Sequence, residues 1–285
     1  MTELSAGLHR LRLDLAYDGT DFSGWAKQPG LRTVEGEIEE ALALILQVAP
    51  GDVRITVGGR TDAGVHSRGQ VAHIDVSSEQ LAQWNKSNAM ARRLNRVLSR
   101  SAPDVAIHSV REVPAAFDAR FGALRRRYEY RVRPAQSRLD PLTARFTADF
   151  TRELDLGVMQ QASADLLGLQ DFTTFCKARE GATAVRELLA FEWRETADGA
   201  FAARIEADAF CHSMVRALVG SVVAVGSKRI SGEQLRDLRD ARERTSKFTV
   251  MPAKGLSLEE IAYPADEDLA ARAEQTRARR DSLDD

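Results

Sequence analysis

Strand-like and helix-like segments alternate along almost the whole chain, and this alternation limits the folds that the chain can adopt. Residues 11–17 (LRLDLAY) alternate apolar and polar side chains, which is typical of a half-buried strand. Thr33 can cap a helix, because its hydroxyl can accept a hydrogen bond from the first turn. Apolar side chains then recur at helical spacing, at Val34, Ile38, Ala41, Leu42, Ile45 and Leu46. The chain is therefore predicted to be a mixed α+β protein.

The same pattern continues towards residue 263. We predict strands over 53–57, 70–76, 104–113, 127–133, 187–194, 200–207 and 256–263, with Asp198-Gly199 as a hairpin turn. We predict helices over 79–100, 152–167, 208–226 and 231–243. Because the two halves repeat this style, we expect two similar lobes, 8–115 and 116–265, with a binding cleft between them. Residues 266–285 are highly charged, so we expect a frayed helix or a disordered tail there.

The composition disfavours several classes of protein. No run of about eighteen apolar residues is present, so no membrane span is expected, and the first residues lack the pattern of a secretion signal. Cys176 and Cys211 are too few for a disulfide framework and form no CxxC pair, which disfavours a structural zinc site. A reduced, cytoplasmic compartment fits best. The sequence also lacks a P-loop and a dinucleotide-binding glycine pattern, so we expect no cofactor.

The densest unusual segment is GGRTDAGVHSRGQVAH, at residues 58–73. Its glycines permit close backbone approach, and Arg60, two residues before Asp62, can hold that carboxylate ionised. An ionised, partly desolvated aspartate can act as a nucleophile or a general base. A turn with a surface ion pair explains the same residues equally well. His66 and His73 lack a third ligand at metal-binding spacing, so we predict structural histidines and no metal site.

Arginines are interleaved with aromatic side chains in FDARFGALRRRYEY, at residues 117–130. Arginine neutralises phosphates and an aromatic ring stacks on an unstacked base, so this pattern suits RNA. The alternative to RNA binding is a solvent-exposed face on which the arginines pair with carboxylates. The same alternative applies to the cluster formed by Arg92, Arg93, Arg96 and Arg100. Tyr128 and Tyr130 lie two apart and would share one face of a strand. We predict a core position for Tyr130, whereas the pattern leaves the role of Tyr128 open.

A third segment, AFCHSMVRALVGS at residues 209–221, carries His212 and Arg216 four positions apart. Within a helix these two residues would share one face. Two interpretations stay open: a polar stripe facing the predicted cleft, or a core helix whose two polar side chains reach the solvent.

Six segments, in order, closely resemble the tRNA pseudouridine synthase A family: YDGTDFSGW, GRTDAGVHSRGQVAH, FDARFGALRRRYEY, DFTTFCK, AFCHSMVRALVGS and PAKGLSL. They extend from about residue 11 to residue 264, nearly the whole chain. The resemblance implies the pseudouridine synthase fold, with two α+β lobes joined into one long mixed or antiparallel sheet and a central cleft. It also implies a homodimer that acts on tRNA, at positions 38–40 of the anticodon stem-loop, without a cofactor or a metal.

The resemblance assigns roles to three residues. The family's nucleophilic aspartate falls on Asp62, its neighbouring arginine on Arg60, and the aromatic ring that stacks on the target base on Tyr128. Ser213 and Asp118 stand where relatives often carry histidines, so we expect the contacts to RNA to differ there.

Two other classes of protein fit part of the sequence. A non-catalytic RNA-binding protein needs the arginines and Tyr128 but does not need Asp62. A hydrolase of glycosidic bonds needs a second carboxylate near the first, and the residues around Asp62 supply arginine instead.

Overall fold

The computed structural model describes residues 7–85, 89–177 and 183–272, and in these ranges the chain is a mixed α+β protein, as predicted. The strands are β1 (Leu8–Tyr17), β2 (Thr56–Val57), β3 (His66–Ser77), β4 (Val105–Val113), β5 (Arg125–Arg133), β6 (Ala148–Asp149), β7 (Gly168–Asp171), β8 (Val185–Glu195), β9 (Phe201–Ala207) and β10 (Leu256–Ala262). The helices are α1 (Val34–Leu46), α2 (Ser78–Trp84), α3 (Met90–Ser101), α4 (Leu156–Ala164), α5 (Met214–Gly226) and α6 (Gly232–Asp240).

The chain divides into two compact units. Among the described residues, the first unit contains residues 7–124 and 258–272, and the second contains residues 125–257. The division therefore falls after Leu124, and most of β10 belongs to the first unit although it lies near the C-terminus. The lobes predicted over 8–115 and 116–265 stay a prediction about domains.

The first unit is built around strands in the order β4-β1-β3-β10. β1 pairs antiparallel with both β3 and β4, and the short β2 pairs antiparallel with β3. The predicted helix after Thr33 is confirmed, because the Thr33 hydroxyl accepts the Gly36 N–H at 3.3 Å and caps α1. The core of this unit lies between alternate residues of β1 and one face of α1. Its fully buried side chains include Leu11, Leu13, Leu15, Ile38 and Leu42.

The single helix predicted over residues 79–100 is wrong in detail, because two helices occupy this stretch. α2 begins after Ser77, whose side chain accepts the Gln80 N–H while the Gln80 side chain accepts the Ser77 N–H. α3 is anchored separately: the Asn95 amide binds both the carbonyl (2.8 Å) and the N–H (2.7 Å) of Ile107 in β4. Residues 86–88 between the helices lie outside the described residues.

The second unit has strands in the order β5-β9-β8-β7, with β6 paired to β5 in parallel. The predicted hairpin between β8 and β9 is confirmed, and Gly199 adopts a φ of 78° in its turn. Against these strands the unit buries its large side chains, among them Tyr130, Phe172, Phe175, Phe191, Leu218 and Val222.

The predicted helix over 208–226 begins later than expected. Ser213, immediately before α5, has a φ of 64°, a left-handed conformation that no α-helix continues through. The preceding residues are tied elsewhere: Cys211 forms a disulfide with Cys176, and the Lys177 N–H donates to the His212 carbonyl at 3.1 Å. Long-range bonds therefore override the local helical pattern at residues 208–213.

The C-terminal stretch is only partly described. Residues 266–268 form a short 3-10 helix, whereas 273–285, most of the predicted charged tail, lie outside the described residues. Within the described ranges, none of the helices combines the length and the apolar character that a membrane span requires.

Candidate active site

Asp62 lies in the loop that joins β2 to β3. The loop leaves β2 where the Gly58 N–H donates to the Val71 carbonyl at 2.7 Å, and it turns back where the Val65 N–H donates to the Asp62 carbonyl at 3.1 Å. The Asp62 side chain is half-buried. Partial burial of a carboxylate on a tight turn is compatible with the nucleophile predicted from the sequence, because a desolvated carboxylate is more reactive.

The YDGTDFSGW segment packs directly on this loop. The Trp25 N–H donates to the Thr61 carbonyl at 3.0 Å, and Gly24 has a φ of 92°. A Cβ on Gly24 would lie 3.0 Å from the Thr61 oxygen and 3.1 Å from the Ala63 nitrogen, so a larger residue would push the loop away. The sequence shows two glycine-containing segments but not their contact, because they lie about forty residues apart.

Arg60, two residues before Asp62, is exposed. An exposed guanidinium close in sequence to a half-buried carboxylate can contact a substrate. The predicted roles of Arg60, in holding Asp62 ionised and in binding the substrate, stay predictions.

The two histidines of the segment are structural, as predicted. His66 is buried, and its Nδ1 accepts the Gly19 N–H at 3.0 Å and lies 3.1 Å from Asp18 Oδ1. His73 is also buried, and its Nδ1 accepts the Ala119 N–H at 3.1 Å. Among the described residues, no group of three or more His, Cys, Asp or Glu side chains could hold a metal ion.

The buried His73 makes the stability of the fold depend on pH. Burial, together with the nearby Arg10, lowers the pKa of His73 from an ordinary 6.5 to about 4. Because the unfolded chain binds this proton more readily, the free energy of unfolding falls as the pH drops from 6.5 towards 4. This lowering of the His73 pKa corresponds to a change of about 3 kcal/mol in the free energy of unfolding. We expect His73→Asn, whose side-chain oxygen can still accept the Ala119 N–H, to remove most of this pH dependence.

Urea unfolding at pH 7 and at pH 4.5 measures the effect, with the exposed His108→Asn as the matched control. The control should lose stability between the two pH values as the parent does. If the parent and His73→Asn lost the same amount, the buried neutral histidine would not be the cause.

Tyr128 and Tyr130 lie on β5, and both are buried. Tyr130 is fully buried, its hydroxyl donates to the Pro252 carbonyl at 2.9 Å, and burial raises its pKa. This confirms the predicted core position. Tyr128 is 7% exposed, and its ring meets Phe210 edge to face with centroids 5.2 Å apart. The neighbouring Phe210 ring orients the Tyr128 ring, and sequence reasoning did not identify Phe210 as its partner.

Part of the arginine run before Tyr128 has a structural role. Arg125 forms an ion pair with Glu206, a carboxylate that is 4% exposed, and Arg126 Nη1 donates to the Asp208 carbonyl at 3.2 Å. Burial alone would raise the pKa of Glu206, but hydrogen bonds from Arg204 and Arg125 outweigh burial and lower it. Arg125 therefore neutralises the buried charge of Glu206. An arginine that only bound phosphates would not need such a partner.

The α3 cluster is different. Arg92, Arg96 and Arg100 lie four residues apart on one exposed face of α3, and within the described ranges none of them has a carboxylate partner. Arg93 is half-buried and donates to the carbonyl of Gln83, so it belongs to the fold. The three exposed guanidinium groups form a stripe about 12 Å long along the helix axis.

His212 and Arg216 do not share a helix face, because His212 precedes α5. The polar stripe of residues 212 and 216, one of the two interpretations that the sequence left open, is therefore wrong. Arg216 Nε donates to the Met251 carbonyl at 2.7 Å, a bond that ties α5 to the segment before β10. Cys176 and Cys211 form a disulfide with Cα atoms 5.7 Å apart. The cytoplasmic compartment expected from the sequence stays a prediction.

Comparison with known proteins assigns the chain to a family. Residues 162–264 match a family model described as tRNA pseudouridine synthase. The tRNA pseudouridine synthase A of Leifsonia xyli subsp. xyli is 52% identical over 95% of this chain and 97% of its own length, and that of Cutibacterium acnes is 50% identical over 96% of each. The chain belongs to the tRNA pseudouridine synthase A family. As a member of this family, the protein is an isomerase.

A structural comparison adds little to this assignment. The archaeal box H/ACA sRNP Nop10-Cbf5 complex matches 91% of this chain and 53% of that chain, with a TM-score of 0.35 and 10% identity. A likeness at this level does not establish a shared fold, so membership of the tRNA pseudouridine synthase A family rests on the sequence relatives.

Proposed function

We propose that this protein converts uridine to pseudouridine in tRNA, at positions 38–40 of the anticodon stem-loop, with Asp62 as the nucleophile. The observation that carries the proposal is the half-buried Asp62, on a loop that the Trp25 N–H holds at the Thr61 carbonyl. The chain that carries this loop is 52% identical to a tRNA pseudouridine synthase A over almost its whole length. Substrate and enzyme class follow from the family, and the role of Asp62 is supported by the burial and restraint of its loop.

The reaction needs only groups that this chain supplies. The N1–C1′ glycosidic bond breaks, the uracil turns, and a C5–C1′ bond forms. C5 loses a proton and N1 gains one, so the composition and mass of the RNA do not change. The Asp62 carboxylate attacks either C6 of the base or C1′ of the ribose, and both routes use the same charged oxygen. Neither a redox change nor a group donor is required.

Two further residues have proposed roles at the substrate. Tyr128 stacks on the target uracil after the nucleotide has left its helical stack, as enzymes that act on bases require. Arg60, which is exposed, contacts the RNA near the reacting nucleotide. The homodimer implied by the family resemblance stays a prediction.

The decisive experiment treats unmodified tRNA with the pure protein and maps pseudouridine by carbodiimide-stop sequencing, with the RNA mass measured in parallel. Isomerisation gives stops at positions 38–40 and leaves the mass unchanged. A loss of uracil would indicate a hydrolase, and binding without any stop would indicate a non-catalytic RNA-binding protein. Stops only at other uridines would contradict the proposed site.

We expect the α3 stripe, rather than Arg125, to hold tRNA phosphates. Replacing Arg92, Arg96 and Arg100 together by Gln should weaken tRNA binding and lower the slope of log K against log salt by about 2 to 3 units, if each contacts one phosphate. Filter binding at several salt concentrations measures this slope.

A matched control replaces Arg54, Arg194 and Arg236 by Gln, which removes the same charge from three exposed arginines that already pair with carboxylates. The control should keep the parent's salt slope. Equal slopes for the parent and the stripe variant would show that α3 does not touch the phosphates.

A further inference from the structure

A buried hydrogen-bond network lies beneath the Asp62 loop. The Tyr17 hydroxyl, at the end of β1, is hydrogen-bonded to the Thr61 hydroxyl with an Oη–Oγ1 distance of 2.8 Å. Gln70 in β3 donates from Nε2 to the Tyr17 hydroxyl at 3.2 Å and to the Gly59 carbonyl at 2.8 Å. The three side chains are 4%, 8% and 0% exposed, so water does not compete for these bonds.

The network holds the segment that leads into Asp62 at two points. Gly59 lies three residues before Asp62, and Thr61 lies immediately before it. The Thr61 carbonyl is fixed separately by the Trp25 N–H at 3.0 Å, so the backbone and the side chain of Thr61 both have buried partners. A residue with this many restraints has little freedom to rotate. The backbone of Thr61 therefore fixes the orientation of the adjacent Asp62.

We infer that Tyr17, Thr61 and Gln70 are positioning residues, which set the direction of the Asp62 carboxylate through the backbone of its loop. None of the three needs to touch the RNA to do so. The inference rests on the proposed role of Asp62. It follows from the geometry that a displacement of the loop by one ångström affects the chemical step, whereas surfaces that hold the tRNA elsewhere are unchanged.

Removing a single hydroxyl tests this inference. Thr61→Val keeps the shape and loses the Oγ1 bond, Tyr17→Phe loses the same bond from the other side, and Thr61→Ser keeps the hydroxyl. We expect Thr61→Val and Tyr17→Phe each to slow the single-turnover rate by about 10- to 100-fold at saturating enzyme, with the dissociation constant for tRNA unchanged. Thr61→Ser should stay near the parent rate, and the double variant should be no slower than the slower single one.

Ser163→Ala is the control for a lost buried hydrogen bond, because Ser163 Oγ accepts from Trp193 Nε1 at 2.9 Å in the second unit, remote in sequence from the Asp62 loop. It should lower the melting temperature but leave the single-turnover rate unchanged. All rates are measured below the melting temperature of the least stable variant. A parent-like rate for Thr61→Val and Tyr17→Phe would overturn the inference, and so would an equal slowing by Ser163→Ala or Thr61→Ser.

Asp62→Asn in the same series separates the two proposals. If Asp62→Asn keeps full turnover, the proposed function of Asp62 fails and the positioning role fails with it. If Asp62→Asn is inactive while both hydroxyl variants turn over at the parent rate, only the positioning role fails.

Discussion

Asp62→Asn is expected to lower the single-turnover rate of pseudouridine formation by roughly 10⁴-fold or more, while tRNA binding largely survives. The amide has the same shape as the carboxylate and fits the half-buried loop, so the fold should not change. It lacks the negative charge that attack on the base or on the ribose needs. The measurement combines rapid-quench assays on a single-site tRNA with filter binding of the same variant.

The matched control is Asp52→Asn, which makes the same chemical change at an exposed loop position ahead of β2. It should turn over at the parent rate. A lower rate in Asp62→Asn is then caused by the change at position 62 and not by the loss of a carboxylate elsewhere. Substantial pseudouridine formation by Asp62→Asn would remove Asp62 from the chemistry and would favour a role in holding the loop.

Tyr130→Ala is expected to destabilise the protein by roughly 3–5 kcal/mol, the range for removing a large aromatic side chain from a core. The ring is fully buried, and it packs so closely against Gly255 that a Cβ there would lie 2.6 Å from Tyr130 Cζ. The loss also leaves the Pro252 carbonyl without its hydroxyl donor. Chemical denaturation with far-ultraviolet circular dichroism measures the free energy of unfolding.

Tyr128, two residues away on the same strand, provides the comparison. Tyr128→Phe keeps the ring and its contact with Phe210 and removes only the hydroxyl. If the hydroxyl helps to move the C5 proton, this variant is slow although it binds tRNA normally. Tyr128→Ala removes the stacking surface, worth roughly 1–3 kcal/mol per base, and should lose turnover strongly. A Tyr130→Ala variant that melts like the parent but fails in turnover would reverse the two assignments.

Several elements follow from local sequence alone. The alternation of LRLDLAY predicts β1, and the Thr33 cap with its apolar face predicts α1, because strand and helix periodicity are properties of neighbouring residues. The Asp198-Gly199 turn likewise predicts the β8–β9 hairpin from two residues. In the candidate site, local pattern identified the Asp62 loop as unusual, and the family resemblance supplied its proposed role.

Other features were decided by tertiary contacts. α5 begins at Met214 rather than at residue 208, because the bond between Cys176 and Cys211, 35 residues apart, holds the preceding segment out of the helix. Arg125 looks like a phosphate ligand in sequence but pairs with Glu206, 81 residues away.

The sequence by itself determined most of the strands and helices and the segment that carries Asp62, because both depend on residues close together in the chain. It did not determine the short strands β6 and β7 or the break between α2 and α3. Only the tertiary structure decided which side chains support that segment. Tyr17 meets Thr61 across 44 positions and Gln70 across 53, and each looks like an ordinary strand residue in its own neighbourhood. Buried polar groups need hydrogen-bond partners, and the fold can supply these from residues far away in the sequence. A pattern of neighbouring residues therefore does not predict them.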